Sequence, residues 1–221
     1  MRKILFTGLL TLILLRINAQ DFKERLTALQ QEYAHTTQLH LIMEIEAFES
    51  NESKEPFYKE TATVKRNGNN SWTRFSGAEM MMNEKYLILI NQEAKLMTCA
   101  TRDTDAENKF YDPMKANLDS IMQLYDTPVL INKNDNVEQY RVKQIEDGSV
   151  TLDMYIDVGK NQLTRLDYRY DDGHYVVMRF SLFDTKPSFD SQEFHEGKYL
   201  TNVKGKLSPS AKYSKFNLIV N

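Results

Sequence analysis

The chain has 221 residues, 41% hydrophobic and 27% charged, with a formal net charge of −3; this balance excludes collagen-like, low-complexity and intrinsically disordered polypeptides. Loss of Arg2, Lys3 and Arg16 with a leader would take the charge from −3 to −6, which disfavours nucleic acid or an anionic membrane as the main partner. The single cysteine, Cys99, excludes an internal disulfide, and no cysteine follows the leader to carry a lipid anchor.

Residues 1–19 read as a signal peptide. Arg2-Lys3 is the positive start, Ile4 to Leu15 is apolar but too short to span a bilayer, and Ala19 offers a small residue before a cut. The mature chain is therefore expected in a periplasm, without a transmembrane segment. Residues 20–186 are expected to form a single domain, and residues 187–221 a polar C-terminal extension that could add a last strand.

Asp21 and Glu24 have capping-box spacing, and Phe22, Leu26, Leu29 and Tyr33 follow at intervals of four, three and four. This predicts an amphipathic helix with one apolar stripe. The period then changes to two through Leu41, Met43, Ile45 and Ala47, and strands are predicted at Phe57 to Lys65 and Ser71 to Phe75 around an Asn67-Gly68 turn. Three consecutive methionines, Met80 to Met82, must point to both faces of a strand. The run Tyr86-Leu87-Ile88-Leu89-Ile90 is apolar on both faces, and Ala94 to Cys99 returns beside it. Burial there would protect Cys99.

Asp112 with Pro113 at the first helical position, followed by Met114, Leu118, Ile121, Met122 and Tyr125, predicts a second amphipathic helix. Beyond it, Val137 to Ile145, Val150 to Val158, Leu163 to Tyr170 and Tyr175 to Phe183 form an antiparallel meander punctuated by turn residues. Asp153, Arg165, Asp167 and Arg169 mark its solvated face. The lysine-rich end reads as a loop or as a short strand at Phe216 to Val220. The fold class is α+β: a strongly curved antiparallel sheet of about nine or ten strands, an unclosed β-barrel, with two amphipathic helices on its concave face.

No residue pattern supplies a reaction. The four histidines are too scattered for a zinc site; Asp103, Asp105 and Glu107 lack the glycine and final glutamate of a calcium loop; and no phosphate loop, dinucleotide fingerprint or nucleophile elbow occurs. Asp171-Asp172-Gly173-His174 reads as a hairpin turn. The chain is expected to be no enzyme and to need no cofactor.

The order of these elements resembles the LolA/LolB-like family of periplasmic lipoprotein carriers, above all in TATVKRNGNNSWTRFSGAEMMMNEKYLILINQEAKLM. The family's Arg-Pro in the early strands has no counterpart, because Asn67 follows Lys65-Arg66. The end of the chain looks more like exported proteins of the Bacteroidetes type. The resemblance implies an unclosed barrel with a helical lid over an apolar cavity.

The expected function is a periplasmic carrier holding an acyl chain, another apolar ligand or a lipoprotein's acyl chains. Candidate cavity residues are Phe22, Leu26, Leu29, Trp72, Met81, Tyr86, Ile88, Leu118, Ile121 and Met122. The alternative is a non-enzymatic envelope scaffold with a fully packed core and a protein partner.

Overall fold

A computed structural model of the protein describes residues 21–33, 36–102, 122–146 and 148–221. Helix α1 covers residues 21–33. Fourteen strands follow: β1 (Gln38–Phe48), β2 (Tyr58–Asn67), β3 (Asn70–Phe75), β4 (Ala78–Met82), β5 (Tyr86–Asn91), β6 (Leu96–Thr101), β7 (Val129–Asn134), β8 (Val137–Lys143), β9 (Val150–Asp157), β10 (Gln162–Tyr170), β11 (Tyr175–Asp184), β12 (Leu200–Val203), β13 (Lys206–Pro209) and β14 (Asn217–Val220).

Twelve strands hydrogen-bond in the order β14-β6-β5-β4-β3-β2-β1-β11-β10-β9-β8-β7, with β12 and β13 forming a separate hairpin. The sheet is unclosed, with β14 and β7 as its two edges. It exceeds the nine or ten strands expected, since the short strands β4 and β14, of five and four residues, also join it. Nor is it wholly antiparallel, since β14 runs parallel to β6. Among the described residues α1 is the one α-helix longer than a turn, and no helix is long and apolar enough to cross a membrane. The second expected helix lies outside the described residues from Asp112 to residue 121, together with Leu118, Ile121, the Asp103 to Glu107 loop and the leader; at its expected end Tyr125 instead forms a β-bridge with Gln144.

The chain divides into two compact units of interleaved segments. The first takes residues 1–35, 44–59 and 111–180, the second residues 36–43, 60–110 and 181–221.

In the first unit α1 lays its stripe on the meander. Phe22 and Leu29 are buried with Tyr140, Val142, Leu152 and Ile156, flanked by Leu26, Tyr33 and Met122, and the Phe22 and Tyr140 rings lie 4.9 Å apart. Burial of one such aromatic side chain contributes roughly 2–3 kcal/mol. The helix is also held by charge, Arg25 Nε donating to Glu138 Oε2 at 2.9 Å.

The opposite face of this meander is polar, as its sequence predicts, but its carboxylates are not solvated. Asp153 and Asp167 are 0% and 1% exposed. Arg141 Nε reaches Asp153 Oδ1 at 2.6 Å and Arg169 Nη1 reaches its Oδ2 at 2.7 Å. Arg165 Nε reaches Asp167 Oδ1 at 2.6 Å, and Tyr155 and Tyr175 donate their hydroxyls to Oδ2. Long arginine and tyrosine side chains thus lie over short aspartates and exclude water from them.

In the second unit the C-terminal segment packs on one face of β3–β6. Tyr199, Leu200 and Tyr213 are buried with Met81, Ile88, Ile90, Met97 and Cys99, and β14 then adds to the edge of β6 with Asn221 N donating to Cys99 O at 2.9 Å. The cover expected over Ile88 was a helix or a ligand; an extended, lysine-rich segment provides it instead.

Candidate ligand-binding face

The hairpins of the second unit put every second residue on one side of the sheet. Trp72, Met81, Ile88 and Cys99 align across β3–β6, and Arg74, Glu79, Ile90 and Met97 form the next row. Both rows face the C-terminal segment. The intervening residues face the other way, where Val64, Thr73, Met80, Leu89, Thr98 and Ile219 align across six strands. Phe75, Ala78, Asn91 and Leu96 make a flanking row.

This second face is apolar and open. Phe75, Met80 and Leu89 are 42%, 37% and 43% exposed, values high for large side chains in mid-sheet. A depression of about 370 Å³ lies over it, lined by Thr73, Phe75, Ala78, Met80, Leu89, Asn91, Leu96 and Thr98. Glu79 and Ile90 also border it; their buried side chains belong to the covered rows, so they present backbone. Tight turns hold the face in register. Ser76 and Gly77 take φ of 47° and 70°, the two positive values that a two-residue hairpin requires and that glycine adopts at least cost.

Glu79 ties the covered face together. Its Oε1 accepts from Trp72 Nε1 at 2.9 Å and from the Tyr199 hydroxyl at 2.6 Å, and its Oε2 accepts from Arg74 at 3.1 Å. Burial alone would push this carboxyl up, but the bonds from Tyr199, Trp72 and Arg74 outweigh it and hold the group below the usual range. Burial, reinforced by the Glu79 carboxylate, pushes the Tyr199 phenol up.

The expected cavity residues fall into two separate groups. Phe22, Leu26, Leu29 and Met122 lie in the packed cluster under α1. Trp72, Met81, Tyr86 and Ile88 lie in the cluster under the C-terminal segment. The residues that line open space are their alternate neighbours, Met80, Leu89 and Phe75. The methionine triplet and the unbroken run after it carry the signal for two apolar faces. What they omit is which face the distant Tyr199 and Tyr213 cover.

Asp171, Asp172 and His174 lie at the exposed β10–β11 turn, where Asp172 Oδ1 accepts from His174 N at 3.0 Å. Among the described residues no group of three His, Cys, Asp or Glu side chains converges to hold a metal. The open face carries no titratable side chain in its lining rows, so its chemistry is that of apolar contact with threonine and asparagine at the margins.

The fold is similar to that of a chain in the Pseudomonas aeruginosa MucA/MucB complex. The two share 10% identity at a TM-score of 0.50, over 79% of this chain and 60% of that one. An uncharacterized conserved protein from Thermus thermophilus matches at a TM-score of 0.48 and 8% identity, over 91% and 99% of the two chains. A LolA superfamily protein from Nitrosomonas europaea matches at 0.32 and 10% identity, over 78% and 96%. No protein-family model matches the sequence, and neither does any curated protein.

Proposed function

We propose that the protein is a periplasmic carrier that holds an acyl chain, free or on a lipoprotein, against the open face of β3–β6. The observation that carries this reading is the row Val64, Thr73, Met80, Leu89, Thr98 and Ile219, four apolar side chains and two threonines across six strands, open to solvent at its centre. An acyl chain burying about eight methylenes there would gain roughly 6 kcal/mol, at about 0.8 kcal/mol for each. The unclosed sheet and the likeness in fold to LolA superfamily structures are consistent with such a role.

Titration of the delipidated protein with a fluorescent fatty acid tests the reading. Saturable binding is expected, and Leu89→Glu, which adds a charge to a partly exposed position without opening the core, should abolish it. Ile88→Glu is the wrong probe, because Ile88 is fully buried under the C-terminal segment and a charge there would unfold the unit. A second reading, an envelope scaffold with a protein partner, is favoured by the complete burial of Phe22, Met81, Ile88 and Met97. A folded protein that binds no fatty acid would support it.

A further inference from the structure

Net charge conceals a segregation. Of the chain's 28 basic and 31 acidic residues, five lysines and no acid lie in residues 198–221, so the remainder of the chain is eight charges negative and this segment five positive. Lys198 is engaged, reaching Glu193 O at 3.0 Å and its carboxylate at 3.5 Å. Lys204, Lys206, Lys212 and Lys215 are exposed, and none has an ion-pair partner among the described residues.

The backbone of the segment sets where these lysines lie. Lys204 and Gly205, with φ of 55° and 83°, make the tip of the β12–β13 hairpin, so Lys204 lies in the tight turn and Lys206 flanks it opposite Val203, which is 63% exposed. Lys212 Nζ stands 5.0 Å from the centre of the Tyr213 ring, and Lys95 Nζ stands 5.2 Å from that of Phe216. Among the acids of this unit, Glu79 is buried and Glu193 and Glu196 pair with Lys65 and Lys85, while Glu93 lies on the β5–β6 turn with Lys95. Val220 of β14, in register with Cys99 of the covered row, adds exposed apolar area.

Unpaired lysines interspersed with exposed aliphatic side chains match an anionic bilayer surface, where each lysine near the headgroups adds to binding and aliphatic groups enter the interface. We propose that residues 198–221 dock the protein on membranes rich in anionic phospholipid. The occupant is the lipid surface itself, a role separate from acyl binding on the opposite face of the sheet.

Cosedimentation with phosphatidylglycerol–phosphatidylethanolamine vesicles, against phosphatidylcholine vesicles as reference, tests this. Binding to the anionic vesicles alone is expected, weakening as salt is raised. Each Lys→Gln change among Lys204, Lys206, Lys212 and Lys215 should weaken it by about fivefold, while the fourfold Lys→Arg variant should retain it. Leu89→Glu should leave vesicle binding intact, so failure of the acyl-binding reading and failure of this one are distinguishable. Equal binding to neutral vesicles, insensitivity to the four substitutions, or binding to polyglutamate without binding to vesicles would each overturn the proposal; the last would point to an acidic protein partner.

Discussion

Glu138 shows how much one side chain can decide. It lies at the end of the stripe under α1, 3% exposed, and accepts from Lys133 Nζ at 2.7 Å, Arg25 Nε at 2.9 Å and the Tyr140 hydroxyl at 2.9 Å. Burial would raise its carboxyl, but these three bonds prevail and hold it at about 2. A carboxyl depressed in the folded state stabilises the fold above its unfolded value and loses that contribution as pH falls through the folded value. Stability on the order of 2–3 kcal/mol should therefore disappear between about pH 4.5 and pH 2. Denaturant midpoints measured across that range should fall, and Glu138→Gln should flatten the fall while lowering stability at pH 7. An unchanged acid profile in the variant would rule out the assignment. Asp153 offers a parallel case: Asp153→Asn strands Arg141 and Arg169, and because both guanidiniums keep some solvent the expected loss is about 2 kcal/mol by denaturation.

Among the elements, the C-terminal segment departs furthest from its sequence. A polar stretch with scattered lysines gives no period, and its buried members, Tyr199, Leu200 and Tyr213, are too widely spaced to read as an apolar stripe. Parallel pairing of β14 with β6 joins residues more than a hundred positions apart, which no turn signal announces. By contrast α1 and the meander β8–β11 were legible, since local period and turn residues suffice for them. The apolar character of both faces of β5 was legible as well; their partners were not, because burial of a particular face is set by chain that arrives from elsewhere. Cys99 reports on this cover. Deleting residues 214–221 removes β14 and the bond from Asn221 N to Cys99 O, and the thiol, fully buried and pushed up by that burial in the intact protein, should react with a thiol reagent under native conditions. The intact protein should react only on unfolding. Equal labelling rates in the two would mean that β14 does not guard the strand.

Over the whole molecule the same burial reappears at the alkaline end. Among the described residues seven tyrosines have phenols raised by burial: Tyr33, Tyr140 and Tyr155 to about 12, and Tyr168, Tyr175, Tyr199 and Tyr213 upward as well. Several also donate to carboxylates, Tyr140 to Glu138, Tyr155 and Tyr175 to Asp167, and Tyr199 to Glu79, so ionisation would set two negative charges against each other in a dry site. A group raised in the folded state contributes stability that is complete below its unfolded value, near 10, and is lost as pH climbs through the folded value. With carboxylates such as Glu79, Glu138 and Asp153 depressed at the other end, stability should form a plateau from about pH 5 to pH 10 and fall on both sides. Tyrosinate absorbance followed during alkaline titration, together with circular dichroism, checks this. The buried tyrosines should ionise in one cooperative step above pH 10 that coincides with loss of the sheet signal, and both transitions should move to lower pH in Asp153→Asn, which weakens the polar lattice over the meander. A smooth, fully reversible ionisation of all twelve phenols near pH 10 with the sheet intact would mean that these hydroxyls are open to water, and that the carboxylates they cover are not held as described.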